Sequence, residues 1–148
     1  MEYSADECAR EVLEVVPVVM RGIRTELRSH RGGDISVPQF RTLFYVSRHE
    51  GPSLSQVAEH VGLTMPSMSR IVDGLVARRL ATRETHRGDR RRMTLALTTH
   101  GHAKLRSARQ TTEAYLSQLF RTLPSTKRDT VVEAMRVLRT IFAETGSR

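Results

Sequence analysis

Four arginines, Arg87, Arg90, Arg91 and Arg92, fall within six residues around a Gly88-Asp89 step. Guanidinium groups packed that densely repel one another unless a polyanion lies among them. The planar, weakly hydrated arginine cation also suits the narrow groove of a nucleic acid. The charge is local: between Thr64 and Thr98 eight arginines stand against three acids, so this stretch carries +5 of the chain's net +8. A solvated surface would spread its charge more evenly, and basicity focused in this way favours a polyanionic partner. A second set, Thr64, Pro66, Ser67, Ser69 and Arg70, is small and polar apart from one arginine. On a helix entering a groove by its N-terminus, such residues let the backbone approach base edges and phosphates.

Other side chains that could do chemistry are sparse. No Ser-His-Asp order, glycine-rich phosphate loop or paired carboxylates stand out, so no enzyme is expected. Of the six histidines, His100 and His102 are the nearest pair, with His30, His49 or His60 as conceivable partners. Two residues one position apart at a helix start do not share a face, and no acidic or cysteine cluster lies beside them. They read as surface histidines, with no metal and no cofactor expected. The single cysteine, Cys8, excludes an internal disulfide and a Cys-rich metal site, and nothing nearby would lower its pKa. No apolar run approaches the roughly 20 residues of a membrane span, and the N-terminus lacks a signal-peptide pattern. A cytoplasmic protein without membrane contact is expected.

The elements that must hold these residues are mostly helices. Residues 5–30 form an amphipathic helix with Val12, Val16, Val19 and Ile23 on one stripe and Leu13, Met20 and Leu27 beside it. Pro17 should kink or split it, and Gly32-Gly33 end it. Ser36 with Gln39, and Ser53 with Gln56, are capping-box patterns opening two short helices, stopped by Gly51-Pro52 and by Gly62. Thr64 caps a third, with Pro66 in its first turn and Met68, Ile71, Val72, Leu75 and Val76 on one buried face. Two helices joined by a tight glycine turn are a helix-turn-helix.

Residues 81–86 and 91–98 then form a hairpin with a charged tip, Met93, Leu95 and Leu97 facing inward and Arg92, Thr94 and Ala96 outward. Thr98 caps a long helix to about Thr122, with Leu105, Ala108, Thr112, Tyr115, Leu119 and Phe120 along one side. Ser125 caps a last helix to about Glu144, striped by Val131, Val132, Met135, Leu138, Ile141 and Phe142. The fold class is therefore mainly α: a winged helix-turn-helix over residues 36–98 with a two-stranded β wing, in one domain of 148 residues. Residues 5–31 and 99–145 flank it as dimerisation helices, since their stripes are wider than one small winged helix can cover.

The stretch Asp89-Arg90-Arg91 followed by Leu97-Thr98 and Gly101 resembles the Asp-x-Arg wing tip and Leu-Thr-x-x-Gly of the multiple-antibiotic-resistance regulator (MarR) family. Ser69-Arg70, Val72, Leu75 and Arg83 are similar to that family's recognition helix and first wing strand. The resemblance implies a homodimer on double-stranded DNA, with Arg91 in the minor groove, Asp89 orienting the wing tip and the helix from Thr64 in the major groove. Arg87 and Arg90 join them as expected contacts. It also implies control by a small ligand or oxidant, with a pocket where the dimerisation helices meet the winged helix. Here Phe40, Phe44 and the start of the helix after Thr98 would supply it, although for Phe40, Phe44, Tyr45 and Tyr115 the reading as core is favoured.

Two positions depart from the family. Arg79 stands where glycine is common after the recognition helix, and a left-handed non-glycine residue costs on the order of 1 kcal/mol. Cys8 lies too early, counting back from Pro38, to be the family's peroxide-sensing cysteine. The reading is a sequence-specific transcriptional regulator, a repressor, on a pseudo-palindromic operator, modulated by a small organic effector. A non-specific architectural DNA-binding protein and a redox- or metal-responsive regulator stay open as alternatives.

Overall fold

A computed structural model describes residues 1–29, 35–86 and 88–145, the side chains of His86, Asp89–Arg92, Glu144 and Thr145 excepted. The expected helix end at Gly32-Gly33 lies outside the described residues. The chain divides into two compact units, Met1–Thr112 and Glu113–Arg148. Its elements follow the order α1 (Ala5–Ser29), α2 (Val37–Arg48), α3 (Leu54–Val61), α4 (Met65–Ala77), β1 (Ala81–His86), β2 (Asp89–Leu97), α5 (Thr99–Arg121) and α6 (Ser125–Thr145).

In the first unit each short helix starts on a side-chain cap that meets its otherwise unpaired amides. Ser36 and Gln39 close a reciprocal box at α2, and Ser53 and Gln56 do the same at α3. Gly62, left-handed at φ 78°, ends α3 with its amide on the Ala58 carbonyl. A further box, Ser4 with Glu7, opens α1. That helix runs through Pro17 as one element, so the proline does not split it. Ring closure there removes one backbone hydrogen bond, which a helix of 25 residues absorbs.

α4 is the spine of the core. Met68, Val72 and Leu75 are buried to within 1% of full burial. Leu75 joins Leu27, Ile35, Leu43, Leu80 and Leu105 in one cluster, while Met68 and Val72 join Val46, Val57, Val61 and Leu95 in another. Ile71, Val76 and Leu97 touch both, which makes the two clusters one continuous interior. Each large aliphatic side chain buried in this way contributes about 1.5–3 kcal/mol.

The C-terminus of α4 closes fully despite its arginine. Arg79 is left-handed at φ 60°. Its amide donates to the Val76 carbonyl at 3.0 Å and the Leu80 amide to the Leu75 carbonyl at 2.9 Å. Those two bonds are a Schellman ending, and the buried side chains of Leu75 and Leu80 supply the apolar contact that accompanies it. The helix end is unaltered by the substitution for glycine; only its conformational cost remains.

β1 and β2 pair antiparallel, from Ala81 opposite Leu97 to Thr85 opposite Met93, before the register shifts and His86 meets Asp89. β2 thus starts at Asp89, earlier than the sequence suggests, and Arg90–Arg92 fall within the bulge. Leu95 and Leu97 face the core as expected, but burial differs at two positions. Met93 is 41% exposed whereas Thr94 is buried. The backbone of Pro52 and Ser53 runs beside β2, with the Leu95 amide on the Pro52 carbonyl at 2.9 Å and Ser53 bridged to Thr94. Gly51 at φ 52° brings that segment against the Thr94 side chain, while Met93 has no core beneath it.

In α1 the expected stripe is mostly exposed, with Leu13, Val16 and Val19 at 74%, 44% and 47%, and only Leu27 is buried. The second unit holds the end of α5 and α6. There Val132, Met135, Ile141 and Phe142 are between 48% and 64% exposed, so the last helix presents its apolar stripe to the outside. The Pro124 carbonyl, rather than the Ser125 side chain, receives the first amides of α6, from Lys127 and Arg128.

Candidate nucleic-acid interface

The Thr64 hydroxyl accepts from the Ser67 amide at 3.3 Å and donates to the Ser67 hydroxyl at 3.1 Å, setting the first turn of α4. Pro66 sits in that turn, where its missing amide costs nothing. Thr64, Pro66 and Arg70 are exposed, and Ser67 and Ser69 are half-buried. All five residues singled out in the sequence therefore gather on the N-terminal half of one helix, opposite Met68 and Val72. The unpaired amides of that turn make it the positive end of the helix dipole.

The wing brings the remaining candidates. Asp89, Arg90 and Arg91 lie on β2 at its tip end; Arg87 lies outside the described residues. The wing is tied to α4 by an ion pair between Arg83 on β1 and Asp73 on α4. It is tied to α3 through the Pro52–Ser53 segment. Helix-turn-helix and wing are thus one frame, and the one acid on the outer face of α4 is neutralised within it. Helix periodicity puts Asp73 on that face, but nothing local marks Arg83 as its partner.

At the root of the wing, Thr98 is shared by three elements. Its hydroxyl donates to the Arg79 carbonyl at 2.6 Å and accepts from the Gly101 amide at 2.9 Å, and its own amide donates to the Leu80 carbonyl at 3.1 Å. One side chain therefore caps α5 and fixes it to the end of α4.

Behind α3, Arg41 of α2 caps the helix end, donating to the carbonyls of Val61 at 3.0 Å and His60 at 3.2 Å. One turn on, the Tyr45 ring stacks on His49 at 3.9 Å and on His60 at 4.4 Å between centroids. Burial holds His60 below the usual imidazole range, and the charges of Arg41 and His49 push it the same way. The cluster was not read from the sequence, because Arg41 and Tyr45 of α2 meet His60 only once α3 packs beside them.

Between α2 and the start of α5 lies a cavity of about 220 Å³ lined by Phe44, Ser47, Arg48, His102, Leu105, Arg106 and Arg109. The guanidinium carbons of Arg48 and Arg109 stand 4.9 Å and 5.3 Å from the Phe44 ring centre. Phe40 stacks on Phe44 at 6.4 Å but packs into the core rather than the cavity. Tyr45 and Tyr115 do not line it. Cys8 is exposed, and among the described residues no three His, Cys, Asp or Glu side chains gather as a metal site. Among them, too, no helix is long and apolar enough to cross a membrane.

A helix-turn-helix whose second helix is followed by a hairpin bound back onto it is a winged helix-turn-helix. Residues 33–92 match the family model described as the MarR family. The whole chain is similar in fold to RV1404 from Mycobacterium tuberculosis, at 24% identity over 97% of each chain and a TM-score of 0.81. It is similar also to wild-type MarR from E. coli (19% identity, 93% and 98% coverage, TM-score 0.78) and to the transcriptional repressor CouR bound to a 23-mer DNA duplex (21%, 93% and 99%, 0.74). No curated protein matches the chain in sequence.

Proposed function

We propose that this protein is a sequence-specific transcriptional regulator, a repressor, that binds a pseudo-palindromic DNA operator as a homodimer. The observation that carries the reading is the single frame in which the exposed, small and polar first half of α4 is braced to an arginine-rich wing through Asp73 and Arg83. Thr64, Pro66, Ser67, Ser69 and Arg70 enter the major groove; Arg87, Arg90 and Arg91 contact the flanking backbone and minor groove, with Asp89 orienting the tip. The bound duplex in the CouR structure supports the same use of a shared fold. The exposed apolar residues of α1 and of α6 support pairing of two copies. A dimer of this kind offers its two recognition helices to successive major grooves about 34 Å apart.

Selection from a randomised duplex pool should enrich a pseudo-palindrome. A salt titration on enriched and scrambled duplexes then decides between specific and architectural binding. Equal affinity for both would replace this reading with that of a non-specific coating protein.

A second reading concerns control. The cavity between α2 and α5 is lined by three arginines, a histidine and the Phe44 ring, with no acid among its lining residues. That chemistry suits a small organic anion with one flat ring, and the volume lies just below the usual range for drug-sized ligands. Such an effector would weaken operator binding only through its differential affinity for two dimer geometries. A coupling of about 1–3 kcal/mol corresponds to about 5–150-fold. Operator affinity measured with an aromatic acid such as salicylate, then zinc, then peroxide, tests it. Release by zinc or peroxide alone would favour the metal- or redox-responsive alternative.

A further inference from the structure

Tyr45 lies between two imidazoles. Its centroid is 3.9 Å from that of His49 at an interplanar angle of 21°, and 4.4 Å from that of His60 at 29°. Two rings cannot both lie nearly parallel over one face of a phenol at such distances, so His49 and His60 cover opposite faces. The stack crosses the seam between α2, which carries Tyr45 and ends on His49, and the last turn of α3, which carries His60. His49 is oriented by its Nδ1, 2.8 Å from the Tyr45 carbonyl oxygen. A carbonyl only accepts, so Nδ1 is the donor.

The surroundings of the stack are cationic. Arg41, one helical turn before Tyr45, already holds its guanidinium on the His60 and Val61 carbonyls. The sides of α3 turned toward α4 and β2 are filled by Val57, Ala58 and Val61 against Met68, Val72 and Leu95, none of them titratable. Among the described residues no ion pair joins either imidazole to a carboxylate, Glu59 included. A proton arriving on His60 therefore meets Arg41 and His49, against which stand the face of Tyr45 and the carbonyl end of α3, both weak attractions at an exposed site.

We propose that the His49–Tyr45–His60 stack is a proton-sensitive clasp between α2 and α3, closed while the His60 imidazole is neutral and loosened when it is charged. His60 is held below its ordinary value of 6.5 by burial first, then by Arg41 and His49. The folded chain thus binds its proton less readily than the unfolded one. The clasp contributes in full above the ordinary value; its contribution is lost as pH falls below 6.5 toward the lowered folded value. In the regulator reading, α3 is half of the helix-turn-helix, so acidification becomes a signal that frees it from its support.

The test compares thermal unfolding of the full-length protein and of His60→Phe between pH 7.5 and 5.5. Phenylalanine keeps a ring on Tyr45 but cannot be protonated. The wild-type Tm should fall by about 2–4 °C more than that of the variant across this range, the shift expected for loss of one modest interaction in a chain of this size. Equal pH dependence in the two proteins would overturn the clasp. Should His60→Phe fail to fold, the His60 ring titrates by NMR in the wild-type protein: a midpoint below 6.5 is expected, and one at or above it would overturn the proposal. Neither readout needs DNA, so each stands apart from the regulator assignment.

Discussion

The α-carbon of Gly101, in the first turn of α5, lies against the carbonyl group of Leu80. A Cβ built at position 101 would overlap the Leu80 oxygen and stand 2.9 Å from its carbonyl carbon. Both partners are backbone, and Thr98 locks them together through the Arg79 carbonyl and the Gly101 amide. Gly101→Ala should therefore cost about 3 kcal/mol or more, at the upper end of overpacking penalties. Gly74→Ala is the matched control, since its Cβ would meet nothing nearer than the Gln39 side chain at 3.9 Å. That change should stabilise α4 by about 0.5–1 kcal/mol. Urea unfolding of both variants checks the pair, and equal effects would refute the close approach.

Arg79 is the one described non-glycine residue with positive φ. Arg79→Gly should raise stability by about 1 kcal/mol, because the Schellman bonds stay and the steric cost of a left-handed Cβ disappears. A lower unfolding midpoint for the variant would mean that the arginine side chain makes a compensating interaction.

Asp73 and Arg83 are both partly exposed, with side chains 58% and 34% accessible. Their pair should add less than about 1 kcal/mol to stability, as exposed ion pairs do. Its larger effect should fall on DNA affinity, since it fixes the wing relative to α4. A double-mutant cycle with Asp73→Asn and Arg83→Gln separates the coupling from the simple change of charge. Zero coupling in DNA binding would show that the wing holds its position without the pair.

Arg91→Ala should weaken operator binding by about 1–3 kcal/mol and leave the unfolding midpoint unchanged. Asp89→Ala should lose less, through the orientation of the tip alone. An unchanged gel-shift titration for Arg91→Ala would remove the wing from the interface.

The exposed apolar residues of α1 and α6 lead to the expectation of a solution mass near twice 16.8 kDa. Sedimentation equilibrium at micromolar concentration measures it. A monomer there would require another cover for Val132, Met135, Ile141 and Phe142.

What the sequence determined alone was whatever depends on residues within a few positions of one another. Ser36 with Gln39, Ser53 with Gln56 and Gly62 set helix ends because a cap acts on amides within one turn. The spacing of Met68, Val72 and Leu75 named the buried side of α4 because a helix repeats every 3.6 residues. By the same reasoning Thr64, Pro66, Ser67, Ser69 and Arg70 could be placed together on its outer half. Tertiary structure decided the rest, because a strand or helix face is buried only where another segment covers it. Thr94 is buried and Met93 exposed since Gly51, Pro52 and Ser53 lie against the outer face at one and no core lies beneath the other. Asp73 finds Arg83, and Tyr45 finds His60, only once two elements pack. Gly101 is confined by a carbonyl 21 positions earlier in the chain, a constraint carried by no local pattern.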